Sequence, residues 1–172
     1  MEGRSSKRKW GRHCKYLLIV VALYFFLPFP FLSDGGATKI QESTIRAVLT
    51  CRSDEKTEVY LIGVLDPETA IDAGDVIVHD PSDELLRCLS DIAVPVLPVS
   101  CQDGLNVTAV IDGQVRQGAG ISTRSIRRLT LGVSVCYCKY YTGMLASTGY
   151  RVWLLWTPVG WRAIWAQPLW TS

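Results

Sequence analysis

Of the two histidines in the chain, His13 sits in a basic leader and His79 alone lies in the body. Acyl-transfer or hydrolytic chemistry needs an imidazole base, a nucleophile and an orienting carboxylate. Ser82, Ser100 or Cys101 could serve as the nucleophile and Asp75 as the carboxylate. No G-x-S-x-G or comparable nucleophile setting accompanies them. His79 beside Asp80 therefore reads first as a strand-end residue next to a helix cap, and a small hydrolase using His79 with Asp75 and Ser82 is the alternative. Asp66, Asp72, Asp75 and Asp80 form no D-x-D-x-D-G calcium loop and read as solvated loop and cap residues. Cys136-x-Cys138 with His79 lacks the C-x2-C pairs of a zinc site. Gly118-Ala-Gly120 lacks the Lys-Ser/Thr of a P-loop. No metal or cofactor is expected.

Arg116, Arg124, Arg127 and Arg128 are the one basic cluster in the body and the candidate binding residues. Such a cluster could meet anionic lipid, cell-wall polymer or nucleic acid, with a solvated loop face as the competing reading. No aromatic residues are interleaved with these arginines, so a nucleic-acid partner is not expected. Net charge adds nothing to that case. Residues 1–15 carry six Lys/Arg against Glu2, and the remaining 157 residues carry twelve against fifteen acids, so the overall +2 divides into +5 and −3. The calculated pI near 8.2 comes from the leader. Asn106-Val-Thr108 is a formal glycosylation sequon, relevant only in a eukaryotic secretory pathway.

At 172 residues, 48% hydrophobic and 20% charged, the chain has room for one domain. This composition excludes a disordered polyelectrolyte, a collagen-like fibre and a multi-span membrane protein. Tyr16 to Leu32 contains no charge. As a helix it would reach about 25 Å at ~1.5 Å per residue, near the lower limit for crossing a bilayer. Leu17, Leu18, Ile19, Val20, Val21, Ala22, Leu23, Phe25, Phe26 and Leu27 are the expected lipid-facing residues, with Pro28 and Pro30 ending the helix. The preceding cations hold the N-terminus in the cytoplasm and send the body across. An uncleaved signal anchor is favoured by the length of the run, its bulky Phe29 and Phe31, and the absence of a clean Ala-x-Ala. A cleaved, secreted form is the alternative. The boundaries read as a leader over 1–15, a membrane or signal segment over 16–32, a hinge over 33–37 and an extracytoplasmic domain over 38–172.

Within that domain, Ile40, Ile45, Val48 and Leu49 recur at helical spacing, with Glu42 and Arg46 as an i,i+4 pair, predicting a helix over 38–49. Val59 to Leu65 is a buried strand, and Asp75 to His79 a shorter one. Asp80 as N-cap and Pro81 at the first helical position predict a second helix over 81–91. The prolines of Val94 to Ser100 confine that segment to an edge or connecting arm. Asp112-Gly113 predicts a hairpin turn. Leu129 to Tyr141, Gly149 to Trp156 and Trp161 to Trp165 predict an antiparallel meander. The fold class is thus α+β: two helices packed on a mainly antiparallel sheet, behind an N-terminal membrane helix. Trp153, Trp156, Trp161, Trp165 and Trp170 are expected to form an apolar face covered by the helices, with an aromatic ligand platform as the alternative. Cys14 falls in the leader; Cys51, Cys88, Cys101, Cys136 and Cys138 are an odd set allowing at most two internal disulfides, and Cys136 and Cys138 share a strand face that prevents them from bonding each other.

Tyr140-Tyr-Thr-Gly-Met-Leu-Ala-Ser-Thr-Gly-Tyr150, Gly160-Trp161 and the closing Trp170-Thr-Ser172 resemble a C-terminal pattern of small exported bacterial proteins of unknown function. The resemblance spans about the last forty residues. Met144 and Leu145 stand where the commoner version has a Cys, so no turn disulfide follows from it. It implies an exported α+β domain from a bacterial source and carries over no catalytic residue. The expected function is a non-catalytic binding or interaction module, held at the membrane and engaging a protein partner or small ligand through its sheet or the Arg116–Arg128 segment.

Overall fold

In the computed structural model of the chain, the described residues are 15–22, 34–52, 57–65, 78–103, 106–124, 127–128, 132–143 and 146–172. They form, in order, α1 (residues 15–22), α2 (Asp34–Cys51), β1 (Val59–Leu65), β2 (Val78–His79), α3 (Asp83–Cys88), β3 (Val96–Pro98), a 3-10 turn over Val99–Cys101, β4 (Thr108–Ile111), β5 (Gln114–Arg124), β6 (Arg127–Arg128), β7 (Val133–Tyr141), β8 (Ser147–Thr157) and β9 (Gly160–Thr171). The α+β class with a mainly antiparallel sheet is as the sequence predicts.

The near-continuous apolar run of β1 is buried on both faces, which explains its lack of polar alternation. Along one edge it pairs in parallel with β5, Val59 to Leu65 against Gly118 to Arg124. Its other edge is shared by β3, parallel over Tyr60 to Ile62, and β2, antiparallel over Val64 and Leu65. The proline-bearing β3 thus sits on an edge, as predicted. Beyond β5 the order continues β7, β8, β9, all antiparallel. The hairpin of β4 and β5 turns at Asp112 and Gly113, whose φ angles of 52° and 77° are the positive pair required by a two-residue turn of this hand. β9 runs six residues past the predicted end at Trp165. It accommodates Pro168 because it is an edge strand, and two register shifts against β8 leave Ile164 and Leu169 as the extra residues.

The main core lies between the helices and one sheet face. From α2 come Ile40, Ile45 and Val48, and from α3 come Leu85 and Leu89. They meet Tyr60, Ile62, Ile121, Cys136, Cys138, Tyr140, Tyr150, Val152, Leu154 and Trp161. Each fully buried aliphatic side chain contributes roughly 1.5–3 kcal/mol of transfer free energy. On the outside of α2, Arg46 joins the predicted i,i+4 partner Glu42 at 3.1 Å and also Asp91 at 2.6 Å, tying α2 to the segment after α3. A smaller cluster of Val59, Leu61, Val107 and Ala109 fills the opposite sheet face at the β1–β5 end, under the β4 hairpin.

Three local expectations are corrected. The hinge at Asp34-Gly35-Gly36 is instead the first turn of α2, whose helix begins four residues before the predicted start. The second helix covers Asp83–Cys88 rather than 81–91, with Ser82 as N-cap accepting from the Leu85 N–H. Asp80 is drawn away from capping because its Oδ1 accepts from the Ser100 N–H at 2.9 Å. Finally, only Trp161 packs beneath a helix, in the main core. On the opposite sheet face Trp153 pairs with Val135 and Trp165, and Trp170 pairs with Gly149.

Of the apolar run 16–32, residues 16–22 lie in α1, and 23–32 fall outside the described residues. Among the described residues, no helix is long and apolar enough to cross a membrane. The side chains of Tyr16, Leu17, Leu18, Ile19, Val20 and Val21 are nevertheless all exposed, Leu17 and Leu18 to 66%.

Candidate functional site

Among the described residues, those proposed for hydrolysis are engaged in local structure. His79 ends β2 at the sheet edge, opposite Val64, with its side chain exposed. The Ser82 hydroxyl is engaged as the cap of α3, with the Leu85 N–H 3.3 Å away. Asp75 lies outside the described residues. Ser100 and Cys101 belong to the exposed 3-10 turn, organised by the Asp80 carboxylate. Among the described residues, no three of His, Cys, Asp and Glu come together in a group able to hold a metal ion.

Nor does the arginine cluster converge. Arg116 and Arg124 stand at opposite ends of β5, eight positions apart, which is roughly 26 Å at ~3.3 Å per strand residue. Arg127 and Arg128 form β6 beside the start of β7, near the Arg124 end. Sequence proximity across Arg116–Arg128 hides this separation because a long strand intervenes.

The five described cysteines are unbonded. Cys51 and Cys101 are exposed, whereas Cys136 and Cys138 are fully buried on the helix-facing side of β7, sharing one face as predicted. Burial in apolar surroundings pushes the Cys136 thiol up to about 11, partly opposed by Thr44 and the Tyr137 backbone. It raises the Cys138 thiol further above its ordinary range, with Cys136 alongside adding to the effect. These thiols are core side chains, poorly suited to nucleophilic work.

Two surfaces remain that bring together chemically useful groups. The first is the outer edge of β9. Among the described residues β9 pairs only with β8, so its other side has no strand neighbour. A groove of about 360 Å³ runs between this edge and α2, lined by Ser43, Ala47 and Thr50 from the helix and Trp161, Ala163 and Ala166 from the strand. Ser43 Oγ donates to the Trp161 carbonyl at 2.9 Å, joining helix to strand. Along the strand, Ile164 and Trp165 are 61% and 56% exposed, an uncommon apolar display on an edge.

The second surface is the β7–β8–β9 face turned away from the helices. In register across it lie Val135, Trp153 and Trp165; Tyr137, Arg151 and Gln167; and Lys139, Gly149 and Trp170. The Arg151 guanidinium sits 5.5 Å from the Tyr137 ring centroid, and Lys139 Nζ 5.8 Å from that of Trp170. Strand alternation turns the odd-numbered positions of β7 and β8 away from the core, and their β9 partners follow in register. The β4 hairpin that covers the β1–β5 end of this face does not extend over it. A sequence signal accompanies this surface. Residues 113–172 contain seven Lys/Arg and no Asp or Glu, while 16–112 contain five against fifteen acids. Averaging the body to −3 conceals that division.

No protein-family model matches the chain, nor does any curated protein or solved structure.

Proposed function

We propose that this chain is a non-catalytic interaction module, tethered to a membrane by the segment 16–32, with its body on the far side, where it receives an extended segment of a partner protein along β9. The observation that carries the reading is the unneighboured β9 edge beside the α2 groove. Strand addition gives backbone hydrogen bonds to an incoming segment, and a flanking groove accepts alternate side chains. Ala163 and Ala166 leave room on that side of the strand, and exposed Ile164 gains from being covered. Tethering is supported by six Lys/Arg in the leader and by the exposed apolar side chains of α1, which acquire a suitable solvent in lipid. Retention of the segment, rather than cleavage and secretion, follows from its apolar length.

The test is a photo-crosslinking residue introduced at Ile164, with Val110 on the exposed face of β4 as control. Irradiated membranes should give a discrete adduct from position 164 alone; equal yields at both positions would remove the β9 assignment. Topology is measured separately. A membrane-impermeant maleimide should label Cys101 from outside intact cells carrying the full-length chain, and labelling only after lysis overturns the far-side placement.

A further inference from the structure

We propose that the open face of β7, β8 and β9 is a binding platform for a carboxylate-bearing polysaccharide, a ligand separate from the partner segment at the β9 edge. Arg151 and Lys139 both lie on this face, and neither has a carboxylate partner among the described residues. Their cross-strand relation is diagonal, which sets them roughly 7–8 Å apart at the backbone. Two cations without a carboxylate partner among the described residues, on neighbouring strands and in a sixty-residue stretch without an acid, are complementary to a chain of repeating carboxylates. Arg151 is already held against Tyr137 and Lys139 against Trp170, so less side-chain freedom is lost when an anion arrives.

Hydrogen-bond donors point the same way. Arg151 Nε and Trp153 Nε1 are buried atoms without a hydrogen-bond partner among the described residues. Arg151 and Trp153 are two positions apart on β8 and project from the same face. A sugar unit supplies carboxylate acceptors for the terminal nitrogens of the Arg151 guanidinium, and its C–H face packs on the exposed Trp165 indole.

The arrangement favours a polysaccharide over a single-stranded nucleic acid. Base stacking needs successive open rings. Here the Tyr137 and Trp170 rings are already occupied by cations, while Trp165, 56% exposed, offers the wide ring surface. Trp165 and Arg151 are diagonal neighbours across β8 and β9, so one indole beside a guanidinium fits a pyranose carboxylate, and Lys139, two rows further along beside Trp170, is placed to meet the carboxylate of a later sugar unit. The choice of a polymer found outside the cytoplasm rests on the topology proposed above, whereas binding in vitro does not depend on it.

Full-length chain in detergent micelles is titrated with polygalacturonate, neutral dextran and oligothymidylate, following tryptophan fluorescence and co-sedimentation. Polygalacturonate should bind saturably, with dextran weaker by roughly tenfold or more, and Arg151→Gln or Trp165→Ala should each weaken the uronate roughly tenfold. Lys139→Gln, on the same exposed face, replaces Arg151→Gln if that variant shifts the unfolding midpoint. Absence of saturable uronate binding, equal binding of dextran, indifference to these substitutions, or tighter binding of oligothymidylate would each overturn the proposal. Maleimide labelling from the wrong side would instead overturn the topology and leave the measured affinity standing.

Discussion

Arg52, the first residue after α2, donates from Nε to the Tyr150 hydroxyl at 2.6 Å and from Nη2 to Thr148 Oγ1 at 2.5 Å. The same guanidinium lies 5.6 Å from the Tyr140 ring centroid and 6.0 Å from that of Tyr150. One side chain thereby fastens the end of the helix to two neighbouring strands. It also satisfies a tyrosine hydroxyl at the margin of the core, which explains how β7 and β8 place Tyr140 and Tyr150 beneath α2.

Replacing Arg52 with Ala removes both hydrogen bonds and the stacked cation, and is expected to cost about 2 kcal/mol. Arg52→Lys should recover less than half of that, because an ammonium cannot present the planar fork that reaches both oxygens. Urea unfolding of the two variants checks this; a lysine variant as stable as the parent would show that charge alone suffices.

The buried thiols make stability depend on alkaline pH in a definite direction. Cys136 moves from the ordinary 9.0 to about 11 in the native chain, and Cys138 and Tyr141 are displaced the same way by burial. A raised acid pKa means that the unfolded chain loses its proton first. The contribution is therefore intact below about pH 9 and is lost as pH rises through about 11, with Cys136 alone accounting for about 3 kcal/mol. Comparing the fall in unfolding free energy between those pH values for the parent and Cys136→Ala isolates this slope. In the same preparation at neutral pH, iodoacetamide should modify exposed Cys51 and Cys101 and reach Cys136 and Cys138 only after denaturation.

Gly120 lies opposite Tyr141 across the β5–β7 ladder, and a Cβ there would enter the tyrosine ring. Gly120→Ala should therefore displace Tyr141 and destabilise the protein by about 1–3 kcal/mol. The near-ultraviolet circular dichroism should change together with the unfolding midpoint. A changed spectrum with an unchanged midpoint would mean that the ring finds another rotamer without cost.

Ser82→Ala deletes the α3 cap and should lower stability by about 1 kcal/mol, while His79→Ala at the exposed strand end should fall within about 0.5 kcal/mol of the parent. Neither substitution should alter crosslinking from Ile164. Loss of a cellular activity in His79→Ala, with folding unchanged, would restore the hydrolase alternative.

Much of the secondary structure was readable from local chemistry. The Asp112-Gly113 turn, the apolar β1 run, the Glu42–Arg46 pair and the C-terminal meander are set by backbone preferences and by contacts a few residues apart. Helix ends were less legible, because a cap is a competition among nearby acceptors. Asp80 was the obvious candidate by position, but the Ser100 N–H, twenty residues away, claims it and leaves the role to Ser82.

The candidate surfaces were less legible still. Strand alternation alone already put Cys136 and Cys138 on one face, and composition already held the acid-free stretch 113–172. Only the assembled sheet decided that α2 and α3 cover the cysteine side, that the β4 hairpin stops at the β1–β5 end, and that Trp153 and Trp165 pair beside Arg151 while Lys139 lies over Trp170 on the face turned away from the helices. Period-two alternation specifies which residues share a face, but which face is buried depends on partners distant in sequence. The same long-range pairing separates Arg116 from Arg124 and leaves β9 at an edge, outcomes that spacing along a single chain cannot contain.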